Sequence, residues 1–156
     1  MTATLVGSKS PDFTASTDGG GNLTLKDLRG KTVILYFYPK DDTSGCTAEA
    51  CDFRDNMQRL TSSGAVVLGV SPDSPKSHDK FKQKYELNFA LLSDESHEIC
   101  ESYGVWVEKS MYGRKYMGVE RSTFVINAEG ILTHEWRKVK VSGHVDEVLA
   151  AVQSLA

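Results

Sequence analysis

Positive charge, cysteine and proline are all in short supply in this chain: 18 Lys+Arg stand against 21 Asp+Glu, and the 156 residues include three Cys and four Pro. A net charge of −3 excludes the basic surplus, gathered on one face, that marks a nucleic-acid binder. Three cysteines are an odd number and too few for a static disulfide framework, so a reactive or metal-binding use is the better expectation. No apolar run approaches the ~20 residues of a membrane-spanning helix, and residues 1–8 offer neither a basic n-region nor an apolar h-region. The expectation is a soluble, cytosolic protein. No repeat, low-complexity tract or linker divides the sequence, which points to a single domain over residues 1–156. A chain of this length buries roughly 68–70% of its unfolded surface and needs no disulfide or metal to fold.

What is present is an alternation of strand and helix patterns. Phe13 to Thr17 and Leu23 to Leu25 have β character on either side of Asp18-Gly-Gly-Gly-Asn22, which predicts an N-terminal β-hairpin. Val33-Ile-Leu-Tyr-Phe-Tyr38, closed by Pro39, reads as a strand buried on both faces, and Ala65 to Val70 repeats the signature. Between them, Thr47 to Leu60 has helical spacing, with Ala50, Phe53, Met57 and Leu60 on one face and Gly64 as the stop. Ser74-Pro75 predicts an N-cap and first turn for a helix whose apolar face carries Phe81 and Tyr85. A short strand near Phe89 to Leu92 and a short helix from Glu98 to Tyr103 follow. Then Ser122 to Ile126 and Ile131 to Trp136 are joined through Asn127-Ala-Glu-Gly130 as a hairpin. The last helix has Ser142 as its expected cap, Asp146 and Glu147 at its positive end, and Val145, Val148, Leu149 and Val152 as its buried stripe. The order implies an α/β fold of thioredoxin-like architecture, a mixed central sheet flanked by helices.

The chemistry concentrates in Pro39-Lys-Asp-Asp-Thr43-Ser-Gly-Cys46-Thr-Ala-Glu-Ala-Cys51, where a buried strand runs out into a helix. Substrates in open α/β sheets collect at the carboxyl ends of strands. A thiol in a first helical turn faces free backbone N–H groups, whose partial positive charge favours the thiolate. Cys46 is therefore the candidate nucleophile. Thr43 can bring its hydroxyl near that sulfur, and Pro39 stiffens the loop. At about 100° per residue Cys46 falls in line with Ala50, Phe53, Met57 and Leu60, facing the core, while Cys51 lies about 140° away on a polar flank with Thr47, Arg54 and Gln58. In an intact helix their Cα atoms stand roughly 8–9 Å apart, beyond the ~7 Å reach of a disulfide, so joining them requires local unwinding.

Pro-x-x-x-Thr-x-x-Cys, here Pro39, Thr43 and Cys46, resembles the peroxidatic signature of the peroxiredoxins. A cysteine five residues on narrows the resemblance to the bacterioferritin comigratory (PrxQ) subfamily. It extends over nearly the whole chain, through Asn22-Leu-Thr-Leu, Leu91-Leu-Ser-Asp-Glu, Tyr103-Gly-Val-Trp and Arg121-Ser-Thr-Phe-Val-Ile. Ser44 stands where many relatives carry Pro. The resemblance implies reduction of hydrogen peroxide and organic hydroperoxides through a Cys46 sulfenic acid. Arg121 and Thr43 would be the groups around the thiolate, and Cys51 the resolving thiol that closes an intramolecular disulfide. Thioredoxin, or a glutaredoxin, would be the reductant. It also implies a monomer and no cofactor.

Competing readings attach to the same residues. Arg121 could merely pair with Glu120 or Glu108, and Thr43 could be only a helix cap. Cys100 suits a small buried hydrophobe. Phe37, Tyr38 and Trp106 suit the core or a pocket wall, and Arg137-Lys-Val-Lys140 a solvated edge. A zinc module could be drawn from Cys46, Cys51, Cys100 and His97, although Cys-x4-Cys on one helix straddles two faces and chelates poorly. A redox sensor passing oxidation to a partner would use the same cysteine pair without turning over.

Overall fold

The structure, a computed structural model, describes residues 5–155. Residues 1–4, half of the stretch read for a targeting signal, lie outside it. The predicted N-terminal hairpin is β1 (Thr14–Thr17) and β2 (Asn22–Thr24), joined through a single turn of 3-10 helix at Asp18–Gly20. The next elements are β3 (Thr32–Phe37), α1 (Ser44–Asp55), α2 (Met57–Ser62), β4 (Ala65–Ser71), α3 (Pro75–Tyr85), β5 (Ala90–Ser93) and α4 (Glu98–Ser102). After them come β6 (Trp106–Met111), β7 (Arg114–Val119), β8 (Ser122–Ile126), β9 (Leu132–Arg137) and α5 (His144–Gln153). Seven strands form one mixed sheet in the order β2-β1-β5-β4-β3-β8-β9, with β3, β4 and β5 parallel and the remaining pairings antiparallel. This is the thioredoxin-like architecture expected.

The unbroken apolar run of β3 is explained by what covers it. Ile34, Tyr36 and Tyr38 face a core shared with Cys46, Ala50 and Phe53 of α1, Phe81 of α3 and Val145, Val148, Leu149 and Val152 of α5. Val33, Leu35 and Phe37 face the opposite core, with Ile99 and Cys100 of α4, Tyr103, Phe124 and Leu132. Both alternating sets are dry, so no polar period survives in the sequence.

Four details depart from the sequence reading. The helix expected from Thr47 to Leu60 starts three residues earlier and is interrupted at Asn56 (φ −104°, ψ 6°). There the Asn56 side-chain amide donates to the Asp52 carbonyl at 2.8 Å and occupies the acceptor of the regular ladder. The cap of α5 is Gly143 (φ 75°), not Ser142, because the chain makes a turn in which His144 N donates to Val141 O at 3.1 Å just before the helix. Arg137 does not lie on a solvated edge. Its guanidinium donates to the Tyr103 and Gly104 carbonyls and sits over the Phe124 ring at 5.2 Å, leaving Lys138 and Lys140 exposed. Finally, β6 and β7 form a separate two-stranded hairpin closed by Tyr112 (φ 51°) and Gly113 (φ 77°). Its tip leaves Met111, Tyr112, Tyr116 and Met117 exposed, so it lacks the buried/polar alternation that announces a strand.

Ser74 caps α3 as predicted, its hydroxyl oxygen accepting from Ser77 N at 3.1 Å. No helix among the described residues is long and apolar enough to cross a membrane.

Candidate active site

Cys46 lies in the first turn of α1, where β3 delivers the chain through the Pro39–Thr43 loop, and its side chain is buried. The helix presents Cys46, Glu49, Ala50 and Phe53 inward at i, i+3, i+4 and i+7. Antiparallel pairing of β8 on β3 sets Ser122 opposite Phe37, so Arg121, the residue before β8, reaches the carboxyl end of β3. There its Nη2 donates to Cys46 Sγ at 3.3 Å and its Nη1 to Glu49 Oε1 at 2.7 Å. One planar guanidinium thus bridges a thiol and a carboxylate, a task its fork suits and a lysine's point charge does not. A Cβ on Gly45 would come within 3.1 Å of Arg121 Nη2, so a glycine beside Cys46 keeps that approach open.

The partner of Arg121 is Glu49, not Glu120 or Glu108, and Glu108 instead faces Lys115 at 3.7 Å. The inward position of Glu49 at i+3 from Cys46 was the signal available in the sequence. Burial pushes the Glu49 carboxyl up to about 7 against the opposing pull of Arg121, and its Oε2 has no hydrogen-bond partner. Tyr36, stacked on Phe53 at 4.7 Å, carries a second unpartnered buried atom, its hydroxyl. Burial and the charges of Glu49 and Cys46 hold its pKa well above the ordinary value. Lys109, on β6, is half-buried. Its ammonium is held below its ordinary range by burial and then by Arg121, with Cys46 and Glu120 opposing. Nothing in the sequence distinguished Lys109 from its charged neighbours.

Thr43 occupies the N-cap position of α1, but its hydroxyl makes no cap bond; it donates to the Lys40 carbonyl at 2.9 Å and is solvent-exposed. Pro39 is half-buried at the bend after β3. Cys51 is half-exposed on α1, and all three cysteines are free thiols. Because α1 runs unbroken from Ser44 to Asp55, Cys46 and Cys51 are held roughly 8–9 Å apart at Cα. Cys100 is buried in the core across the sheet from Cys46, and burial raises its pKa. His97 stacks on Trp106 at 3.8 Å. The four residues of a zinc module are therefore split between the two sides of the sheet. Among the described residues the metal-capable group of His, Cys, Asp and Glu atoms is Asp41, Asp73 and His78, which includes no cysteine. Phe37 and Tyr38 are fully buried, as expected of core residues.

A thioredoxin-like sheet with a buried, arginine-paired cysteine at the start of its first long helix defines the class of thiol peroxidases. Residues 6–135 match the AhpC/TSA family. A Coxiella burnetii relative named as a peroxiredoxin of the Bcp kind is 59% identical over 144 residues, spanning 92% of this chain and 95% of that protein. The peroxiredoxin Bcp of Bacillus subtilis is 50% identical over 151 residues, 97% of this chain and 96% of that one. Among solved structures, the Xanthomonas campestris bacterioferritin comigratory protein, studied for its alkyl peroxide reduction activity, superposes with a TM-score of 0.88. That match is 45% identical and covers 91% of this chain and 90% of the other. The chain belongs to the AhpC/TSA family and, within it, to the peroxiredoxins of the bacterioferritin comigratory (PrxQ) type. It is a thiol-dependent peroxidase.

Proposed function

We propose that Cys46 is the peroxidatic thiol and Cys51 the resolving one, within a single domain that works as a cytoplasmic monomer. The observation that carries the reading is Arg121 Nη2 at 3.3 Å from the buried Cys46 sulfur in a first helical turn. The Cys46 thiolate attacks one peroxide oxygen. An S–O bond forms, the O–O bond breaks, and the second oxygen leaves with the electron pair and a proton as water or alcohol, so that Cys46 is oxidised to a sulfenic acid. Arg121 stabilises the thiolate and polarises the peroxide. Backbone N–H groups at Gly45 and Cys46 face the charge that develops on the leaving oxygen. Thr43 is exposed at the N-cap of the same helix, and its hydroxyl donates to a bound peroxide by leaving the Lys40 carbonyl, while Pro39 limits the freedom of the loop. The Cys51 thiol then attacks the sulfenic sulfur, releasing water and closing a disulfide, and a thioredoxin dithiol, or a glutaredoxin, reduces it. Hydrogen peroxide and organic hydroperoxides are the substrates. The alkyl peroxide activity of the X. campestris relative supports the organic branch.

The test is steady-state NADPH consumption with hydroperoxide, thioredoxin and thioredoxin reductase. Continuous turnover is expected, and oxidation that stops after one equivalent would make the protein a sensor instead. Cys46→Ser should consume no peroxide even with excess dithiothreitol, and retained activity would refute the nucleophile assignment.

A further inference from the structure

A buried polar cluster that the chemistry above does not use lies just upstream of the nucleophile. Asp41 sits in the Pro39–Thr43 loop, five residues before Cys46, and its carboxylate accepts three hydrogen bonds. Tyr38 Oη donates at 2.6 Å, Ser77 Oγ at 2.8 Å, and His78 Nδ1 is paired with it at 2.8 Å. The other ring nitrogen of His78, Nε2, stands 2.9 Å from the Leu92 carbonyl of β5, which can only accept. Opposite an ionised Asp41 both ring nitrogens face acceptors, an arrangement that suits an imidazolium ion-paired with Asp41 inside the protein. Asp41 from the loop, Leu92 from β5 and Asp73 from the β4–α3 connection all favour the charged ring, and the Tyr38 ring at the end of β3 stands 6.4 Å away. Burial disfavours the charged ring, but Asp41 and the Leu92 carbonyl outweigh it, and the pKa of His78 stands above its ordinary value.

The loop has further ties besides this one, among them Thr43 Oγ donating to the Lys40 carbonyl at 2.9 Å. Asp41 N donates to Asp73 Oδ2 at 2.8 Å, itself fixed by the Ser71 hydroxyl at 2.6 Å. Asp42, in left-handed conformation (φ 60°), is tied to Lys84 and Tyr85 at 2.7 and 2.6 Å, but these contacts are exposed and solvent weakens them. Next to this turn is the N-cap of α1, whose carbonyl accepts from Thr47 N at 2.8 Å and so begins the helix that carries Cys46. Tyr38, the third donor to Asp41, packs into the same core as Cys46.

We propose that His78, acting through Asp41, is a positioning residue for the peroxidatic centre: its two-sided clamp between β5 and the active-site loop fixes where α1 begins and hence where the Cys46 sulfur meets Arg121. The proposal rests on the assignment of Cys46 as the reacting thiol. Two near-isosteric substitutions separate positioning from bulk stability. In His78→Asn the amide nitrogen falls where Nδ1 was and can still donate to Asp41, whereas in His78→Gln it falls where Nε2 was and serves only Leu92. Each gives up the ring, the charge and one hydrogen bond, so a purely structural His78 would lower both melting points and leave both rates alike.

The measurement is single-turnover consumption of hydrogen peroxide by the fully reduced full-length protein and by both variants, alongside their thermal midpoints. His78→Asn should stay within about threefold of wild type, while His78→Gln slows by about 10- to 100-fold, the effect of a sub-ångström to ångström misplacement. An active wild type with the variants equal, or in the reverse order, overturns the positioning role and leaves the peroxidase reading standing. A wild type inert to peroxide overturns both. Should a variant fail to fold, the ring nitrogens of wild-type His78 decide by ¹⁵N NMR: both should carry protons at pH 7, and a neutral tautomer there overturns the clamp.

Discussion

Arg121 Nη2 lies 3.3 Å from Cys46 Sγ across 75 positions of the chain, while the same guanidinium holds Glu49 at 2.7 Å. The cysteine is supplied by α1 and the cation by the residue preceding β8, and the β3–β8 pairing makes them neighbours. Arg121→Lys keeps a charge but cannot serve both partners. We expect the rate constant for Cys46 oxidation to fall by roughly 10²-fold or more, comparable with removal of a preorganised donor from a transition state. Stopped-flow oxidation of the reduced variant checks it, and a rate within a factor of three would remove Arg121 from the chemistry.

Glu49 makes stability depend on pH in a direction opposite to that of an ordinary surface carboxylate. Its pKa is about 7 in the fold, with burial the main cause, against the usual 4.5 in the unfolded chain. Between those values the native state binds the extra proton, so this group's contribution favours folding below about pH 4.5 and is lost as pH rises through about 7. In Glu49→Gln that dependence disappears. The stability difference between variant and wild type should therefore move in the variant's favour by about 1–3 kcal/mol from pH 5 to 8, since each pKa unit corresponds to about 1.4 kcal/mol. Urea titrations at four pH values measure it. Parallel pH curves for the two proteins would refute the elevated pKa.

Cys51→Ser should retain the first turnover with peroxide and lose thioredoxin-coupled cycling, whereas Cys100→Ala should leave cycling intact, because Cys100 lies across the sheet. Since α1 separates Cys46 and Cys51 beyond disulfide reach, closing the bond has to unwind its first turns. Oxidation by one equivalent of peroxide should lower the far-UV helical signal and raise amide exchange from Cys46 to Arg54. Mass mapping that finds Cys46 joined to Cys100 would sink this sequence of events.

Gly69 of β4 leaves room for the Tyr36 ring: a Cβ there would sit 2.9 Å from the ring Cζ and hydroxyl oxygen. Tyr36 is fully buried and stacked between Tyr38 and Phe53, so the ring has no free direction in which to yield. Gly69→Ala should destabilise the fold by about 1–3 kcal/mol, the usual cost of overpacking, and move the wall of the Cys46 site with it. Denaturant unfolding measures the first effect and the rate of Cys46 oxidation the second. An unchanged midpoint would mean that Tyr36 can relocate.

Much of this was legible in one dimension because it depends on local chemistry. The buried run Val33 to Tyr38, the Ser74-Pro75 start of α3, the hydrophobic stripe of α5 and the loop-to-helix setting of Cys46 each follow from propensity, capping or period within a dozen residues. Cys46 and Cys51 could be put on different faces of one helix by angle alone. The break at Asn56 was not legible, since it turns on which carbonyl one side-chain amide takes. Nor was the β6–β7 hairpin, whose exposed faces carry no alternation.

Residues far apart in sequence were another matter. Arg121 was placed at the thiolate by resemblance alone, with Glu120 and Glu108 as competing partners, and Lys109, Asp41 and His78 were simply charged or polar letters. The sequence alone determined the candidate thiol and its loop-to-helix setting, the buried strands at Val33 to Tyr38 and Ala65 to Val70, and the separation of the two cysteines on one helix, because those depend on contacts within one element. Only the tertiary structure decided how closely Arg121 approaches the sulfur, which carboxyl is buried with it, and which histidine packs against the loop. Those are pairings between elements, set by strand register and by the exclusion of water from the space where the elements meet.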